Sequence, residues 1–302
     1  MVDTGKRTTR TDICSLALAD SRKVPIETWV REAKPVIEKL TQMHGQREAT
    51  YAAFGATALG ALGYTRTTKD VDIVIKAESK SFKDVASEIA GDFGFTVCEG
   101  EKVRMLVKEV DGYYFVIELW DDFIYVMDCD DQMWGRTRVA QGLGIPMLTL
   151  SVEDMVASKL GRYFMNHRSE DIVDISFLVK EYGIGDYAYF IERIQKIKRE
   201  GKTVDDFLFE EILKISEILG RGKAVEFHSQ IASRRPYKQL LERIMFKLAR
   251  DSNGVKEVAG KAMLNPKEAS RLLKMLEIKA VEGGFELPHH PDAVIAKVLR
   301  RG

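Results

Sequence analysis

The chain has 302 residues, with 46 Lys plus Arg against 46 Asp plus Glu, 45% hydrophobic and 30% charged. That length suits about two domains of the usual ~100–200 residues, and the composition excludes intrinsic disorder, a collagen-like repeat and a disulfide scaffold. The zero net charge conceals an asymmetry. Ser233–Gly302 holds 15 Lys/Arg against 8 Asp/Glu, a net +7, and the remainder carries −7, so a basic C-terminal unit adjoins an acidic body.

In chain order, residues 1–24 read as a loose polar lead-in. Pro25 to His44 carries Ile26, Trp29, Val30, Val36, Ile37 and Leu40 at helical spacing, opened by Pro25 and closed by Gly45. Tyr51 to Gly63 is dense in Ala and Gly, and the β-branched run Val71 to Ile75 reads as a strand. Ser81 to Phe93 predicts a helix and Thr96 to Cys98 the start of a strand. Val103 to Val107 and Tyr113 to Trp120 form a strand pair around Asp111-Gly112, a hairpin dipeptide. Pro146 to Leu150 is a further short strand, and Ser151 opens a helix with Glu153 and Asp154 in its first turn. Helical pattern continues to about Leu219, broken at Gly183-Ile184-Gly185 and Gly201, and Arg234-Arg235-Pro236 marks a boundary. The expected organisation is a lead-in (1–24), a mixed α+β domain (25–180), a helical region (181–232) and a basic domain (233–302).

Cys14, Cys98 and Cys129 are scattered without paired spacing and read as free thiols or small core residues of a reducing compartment. No apolar run approaches the ~18 residues of a membrane helix. After Lys6, Arg7 and Arg10 the apolar stretch is cut short by Asp20 to Lys23, which argues against a signal peptide. The expectation is a cytoplasmic protein with no membrane partner.

The chemistry gathers around Asp70-Val71-Asp72 at the start of a strand. Side chains alternate along a strand, so both carboxylates share a face, about 6–7 Å apart. Such a pair repels unless a cation lies between, and Mg²⁺ takes one or two carboxylates plus substrate phosphates. Glu118 is the best third acid because it interrupts the apolar run Tyr113 to Trp120, where a charge is costly unless paired or metal-bound; Asp121 and Asp122 are close rivals. Upstream, Gly55-Ala56-Thr57-Ala58-Leu59 would let backbone N–H groups approach a phosphate, or serve close helix-on-sheet packing. Arg66 leads into the aspartates and is a further candidate phosphate contact.

Gly-Ala-Thr-Ala-Leu, then Arg-x-Thr-x-Asp-x-Asp with thirteen residues between Ala56 and Asp70, resembles the polymerase-β-type nucleotidyltransferase superfamily. It is more closely similar to the AbiEii-like nucleotidyltransferases, toxins of type IV toxin–antitoxin systems. Leu150 to Lys159 is similar to that group's Lys helix, and Arg168 to Asp174 to its downstream acidic motif; the likeness runs from about Tyr51 to Leu178. The sequence departs from the pattern at Ala56 for a glycine, Glu118 for an aspartate and Glu170 for a basic residue.

The resemblance implies transfer of a nucleoside monophosphate from an NTP to a macromolecular acceptor: RNA, particularly tRNA, or alternatively a protein hydroxyl. Two Mg²⁺ on Asp70, Asp72 and Glu118 would activate the acceptor hydroxyl and stabilise departing pyrophosphate. Lys159 would contact the triphosphate with Gly55, Ala56, Thr57 and Arg66, and Asp171 would orient Lys159 or assist proton removal. An antitoxin protein is an implied partner. A catalytically inactive nucleotidyltransferase fold acting as a nucleic-acid-binding regulator stays open, separated from the enzyme by whether NTP binds in a Mg²⁺-dependent way.

In the basic unit, Tyr237 to Arg250, Val255 to Met263 and Asn265 to Leu276 read as helices, the last with Asn265 as cap and Pro266 in its first turn. Ile278 to Leu287 reads as a two-stranded wing around Gly283-Gly284. The order resembles a winged helix-turn-helix whose third helix would expose Lys267, Ser270, Arg271 and Lys274 to phosphates or a groove; such units also bind proteins. Lys196, Lys198, Arg199 and Lys202 form a second small basic cluster.

Overall fold

The computed structural model describes residues 10–64, 68–100, 102–125, 127–197, 242, 245–262, 264–291, 293–294 and 297. Two compact units divide the chain, Met1–His167 and Arg168–Gly302. The division falls inside the 25–180 span expected from the sequence.

The first unit is mixed α+β around a seven-stranded sheet. Its elements run α1 (Arg10–Ala19), α2 (Ile26–Gly45), β1 (Ala49–Ala53), α3 (Gly55–Ala61), β2 (Asp70–Ala77), α4 (Phe82–Phe93), β3 (Thr96–Glu99), β4 (Val103–Val110) and β5 (Tyr113–Asp121). A small hairpin of β6 (Phe123–Ile124) and β7 (Met127–Asp128), α5 (Asp131–Trp134), β8 (Arg138–Ala140), a 3-10 turn, β9 (Met147–Thr149) and α6 (Val152–Asn166) follow. The strand order is β3-β4-β5-β2-β1-β9-β8. β1 and β2 are antiparallel, whereas β2 pairs in parallel with β5 and β1 with β9.

Local sequence explains these elements. The predicted stripe of α2 is the buried one, Trp29, Val36, Ile37 and Leu40 among it, each large apolar side chain removing about 1.5–3 kcal/mol of exposure cost. Ser81 caps α4 and Ser151 caps α6 by accepting the N–H three residues on. At Asp111-Gly112 both residues take positive φ (51° and 77°), the two-residue turn whose twist matches the strands it joins. That turn fixes the β4–β5 register, Val110 opposite Tyr113.

Two expectations are corrected. The lead-in contains a helix, α1, and Cys14 on it is joined by a disulfide to Cys98 on β3; Cys129 is free and buried. Ala17 of α1 is buried with Cys98, Val107 and Val116, and Ile13 and Cys14 pack against that cluster. The buried repeat is only Ile13, Cys14 and Ala17, and the exposed apolar Leu16 and Leu18 beside it blur the periodicity. The 84-residue separation of the cysteines leaves no local spacing to read.

The second unit contains α7 (Ser169–Glu181) and α8 (Tyr187–Gln195), broken as expected at Gly183 to Gly185. Residues 245–250 are helical, followed by α9 (Val255–Lys261), α10 (Pro266–Met275) and the antiparallel pair β10 (Lys279–Val281) and β11 (Gly284–Glu286). The expected boundary at Arg234 to Pro236, and Lys198, Arg199 and Lys202 of the second basic cluster, lie outside the described residues. Among the described residues no helix is long and apolar enough to cross a membrane.

Candidate metal centre

The parallel pairing of β2 with β5 sets Asp72 directly opposite Glu118 and Asp70 opposite Val116. Alternation places Asp70, Asp72 and Glu118 on one face, and an oxygen from each lies within 4.8 Å of the other two. Asp121 and Asp122, the rivals, stand outside this cluster; Asp122 accepts the indole N–H of Trp134.

Each carboxylate of the triad is held by a separate donor. The Thr68 hydroxyl donates to Asp70, the Ala56 N–H to Asp72 at 3.2 Å and the Trp120 indole N–H to Glu118 at 3.3 Å. The Asp72 N–H donates in turn to the Thr57 hydroxyl, so the small-residue segment and the aspartate strand clasp each other. Gly55 is required at this junction: its φ is +58°, and a Cβ there would lie 2.1 Å from Asp72 Oδ2. The segment read as a phosphate cradle thus seats Asp72, with α3 closely packed on β2.

The electrostatics are unfavourable without a cation. Asp72 is only 5% exposed, and burial, followed by the charges of Asp70 and Glu118, raises its pKa well above the usual carboxylate range. Burial and Asp70 push Glu118 up to about 7. Lys159 of α6, 1% exposed, and the Ala56 N–H act against the shift at Asp72; Lys69, whose ammonium donates to the Ala17 carbonyl, acts against it at Glu118. Three hard oxygen donors without enough positive charge suit a divalent cation such as Mg²⁺. The residues present fit that ion.

Of the other expected site residues, Asp171 is buried on α7 in the second unit, and Arg66 lies outside the described residues. Lys267, Ser270, Arg271 and Lys274 are all exposed on α10, whose Ala269, Leu272 and Leu273 are buried. An aromatic group beside the triad escaped the sequence reading. The rings of Phe54, Trp120 and Tyr125 meet edge-to-face, with centroids 5.0–5.9 Å apart. The signal for Trp120 was its place two residues beyond Glu118 on the same strand face.

No protein-family model matches the sequence, and no curated protein matches it either. Among solved structures, the chain is similar to an antigenic nucleotidyltransferase-like protein from Paracoccidioides brasiliensis, at 20% identity over 50% of this chain and 76% of that one, TM-score 0.35. It is also similar to the antibiotic-resistance factor ANT(2'')-Ia, at 14% identity over 68% of this chain and 99% of that one, TM-score 0.39. At TM-scores of 0.35 and 0.39 these likenesses carry no functional argument.

Proposed function

We propose that this chain is a divalent-metal-dependent nucleotidyltransferase that moves a nucleoside monophosphate from an NTP to a hydroxyl on a macromolecule, with RNA, tRNA above all, as the acceptor. The carrying observation is the triad itself: Asp70, Asp72 and Glu118, on register-paired strands, bring oxygens within 4.8 Å of one another. Like charges so placed destabilise the fold on their own and become favourable around a cation.

The acceptor oxygen attacks the α-phosphorus, forming a new P–O bond as the bond to the leaving pyrophosphate breaks. Asp70, Asp72 and Glu118 would hold the metal, two Mg²⁺ in this reading, which supplies charge neutralisation for the attacking and leaving oxygens. Lys159, fixed on α6 and close enough to stabilise the charge of Asp72, adds positive charge for the triphosphate. Phosphoryl transfer gains most from such positioning and electrostatics. Arg66 is proposed as a further phosphate contact.

The exposed Lys267, Ser270, Arg271 and Lys274 face supports an acceptor-binding role for α10 and its following hairpin, in the manner of a winged helix. The AbiEii-like sequence motifs support a growth-inhibiting toxin with an antitoxin partner. The Cys14–Cys98 disulfide runs against the reducing cytoplasm expected from scattered thiols, so the compartment is no part of the proposal. The test is incubation with each α-³²P-labelled NTP, Mg²⁺ and total RNA, beside the Asp70→Ala, Asp72→Ala double variant. Label on RNA with the wild type alone supports the proposal, whereas label on polypeptide moves the acceptor to protein hydroxyls. No transfer and no NTP binding by calorimetry would favour the inactive nucleic-acid-binding regulator.

A further inference from the structure

We infer that Trp120 is a positioning residue of the metal centre, holding Glu118 in the orientation in which it ligates a divalent cation. The inference rests on the proposed metal-dependent reading. A carboxylate has two oxygens, and an N–H on one fixes its plane without occupying the other. The Trp120 indole donates to Glu118 Oε2 at 3.3 Å from the same strand, two residues on. A glutamate has three rotatable side-chain bonds, so an untethered Glu118 would lose considerable freedom on binding an ion. A pre-held one loses less, and outer-shell partners of this kind typically contribute 10–100-fold to metal affinity or activity.

The indole is itself held on two sides. Its ring meets Phe54 at 5.9 Å and Tyr125 at 5.0 Å, both edge-to-face. Phe54 is fully buried and immediately precedes Gly55, the residue whose missing side chain seats Asp72. Tyr125 sits at φ +47° beyond β6, and its ring lies under the Arg162 guanidinium, 4.5 Å away. The Arg162 N–H also donates to the Tyr125 hydroxyl. Arg162 follows Lys159 by three residues, on the same side of α6. One run of contacts thus joins the lysine's helix to Glu118, and the phenylalanine wedge ties it to the first turn of α3, which seats Asp72. Of these groups, Trp120 touches a triad carboxylate through a hydrogen bond that can be deleted while an aromatic ring remains.

The experiment is Mn²⁺ binding by calorimetry to the full-length wild type, Trp120→Phe and Trp134→Phe, with thermal melts of each. Trp134→Phe is the matched control, because it also removes an indole–carboxylate hydrogen bond, to Asp122 outside the triad. The expected result is about tenfold or greater weakening for Trp120→Phe and unchanged affinity for Trp134→Phe. Equal affinity in the wild type and Trp120→Phe, or equal weakening in both variants, overturns the inference and leaves the metal-centre reading standing. A wild type that binds no Mn²⁺ overturns both.

Should Trp120→Phe not fold, the ¹⁵N-labelled wild type decides the question. Mg²⁺ should shift the Trp120 indole N–H resonance and leave that of Trp134 in place. An unmoved Trp120 resonance under saturating Mg²⁺ overturns the inference.

Discussion

The triad of the first unit and the basic face of α10 in the second both announce themselves in the sequence as clustered like charge, but their physical situations are opposite. On α10, Lys267, Arg271 and Lys274 are exposed, so water screens their repulsion and the fold bears little cost. On β2 and β5, Asp72 is nearly inaccessible and Glu118 is held protonated to about pH 7. Charges that destabilise the folded state to which they belong need a reason outside packing, and a cation supplies one. Solvated charges need none, so the same cluster carries much less functional information there.

The largest effect should come from removing triad charge. Asp72→Asn should abolish NMP transfer while raising the melting temperature of the metal-free protein at pH 7.5, because it deletes a buried, repelled carboxylate. One kcal/mol corresponds to about 2–4 °C for a unit of this size, so differential scanning fluorimetry with and without Mg²⁺ resolves the change. A variant that is inactive and also less stable without metal would mean that Asp72 is structural. Gly55→Ala, by contrast, should lower both stability and activity. It places a Cβ against Asp72 Oδ2 at a positive-φ position, at a cost of about 1–3 kcal/mol for the backbone alone.

The next effect is a pH dependence with a defined sign. Folded Glu118 has its pKa raised from the ordinary 4.5 to about 7. Below about pH 4.5 both folded and unfolded states hold the proton and the group is neutral to stability. Between there and about pH 7 the unfolded chain releases the proton first, so stability falls as pH rises, by about 3 kcal/mol at most over the interval. Asp72 shifts in the same direction and adds to the fall. Saturating Mg²⁺ should flatten this trend, and urea melts across the window would check it. A metal-free stability that climbs from pH 5 to 7.5 would contradict the assignment.

Much of the centre was legible because it is built on strands. Period-two alternation puts Asp70 and Asp72 on one face, and a charge within the apolar run of β5 singled out Glu118. Choosing Glu118 over Asp121 and Asp122 turned on the cost of a charge inside that run, and the β2–β5 register then set it opposite Asp72. The function of Gly55 was only half legible: small residues signalled close approach, but what approaches is Asp72. The Cys14–Cys98 link was illegible, since nothing local connects residues 84 apart. The aromatic wedge was hidden too, because Phe54, Tyr125 and Arg162 meet only through the tertiary fold.

The smallest effect on stability, and the sharpest test of the comparison, belongs to α10. Replacing Lys267, Arg271 and Lys274 together by Ala should leave the melting temperature nearly unchanged, because substitutions at exposed positions usually alter stability by less than about 0.5 kcal/mol each. If these cations contact phosphates, each lost contact should reduce the steepness with which RNA affinity falls against salt by about one, measured by fluorescence anisotropy between 50 and 300 mM KCl. Counterion release is the reason: a cation that displaces condensed ions from RNA contributes to the slope whether or not it contributes to the fold. An unchanged slope would make the face solvated charge alone, and acceptor binding would have to be sought elsewhere on the chain. A large loss of stability would break the comparison itself, showing that charge on α10 is tied to folding as closely as charge in the triad.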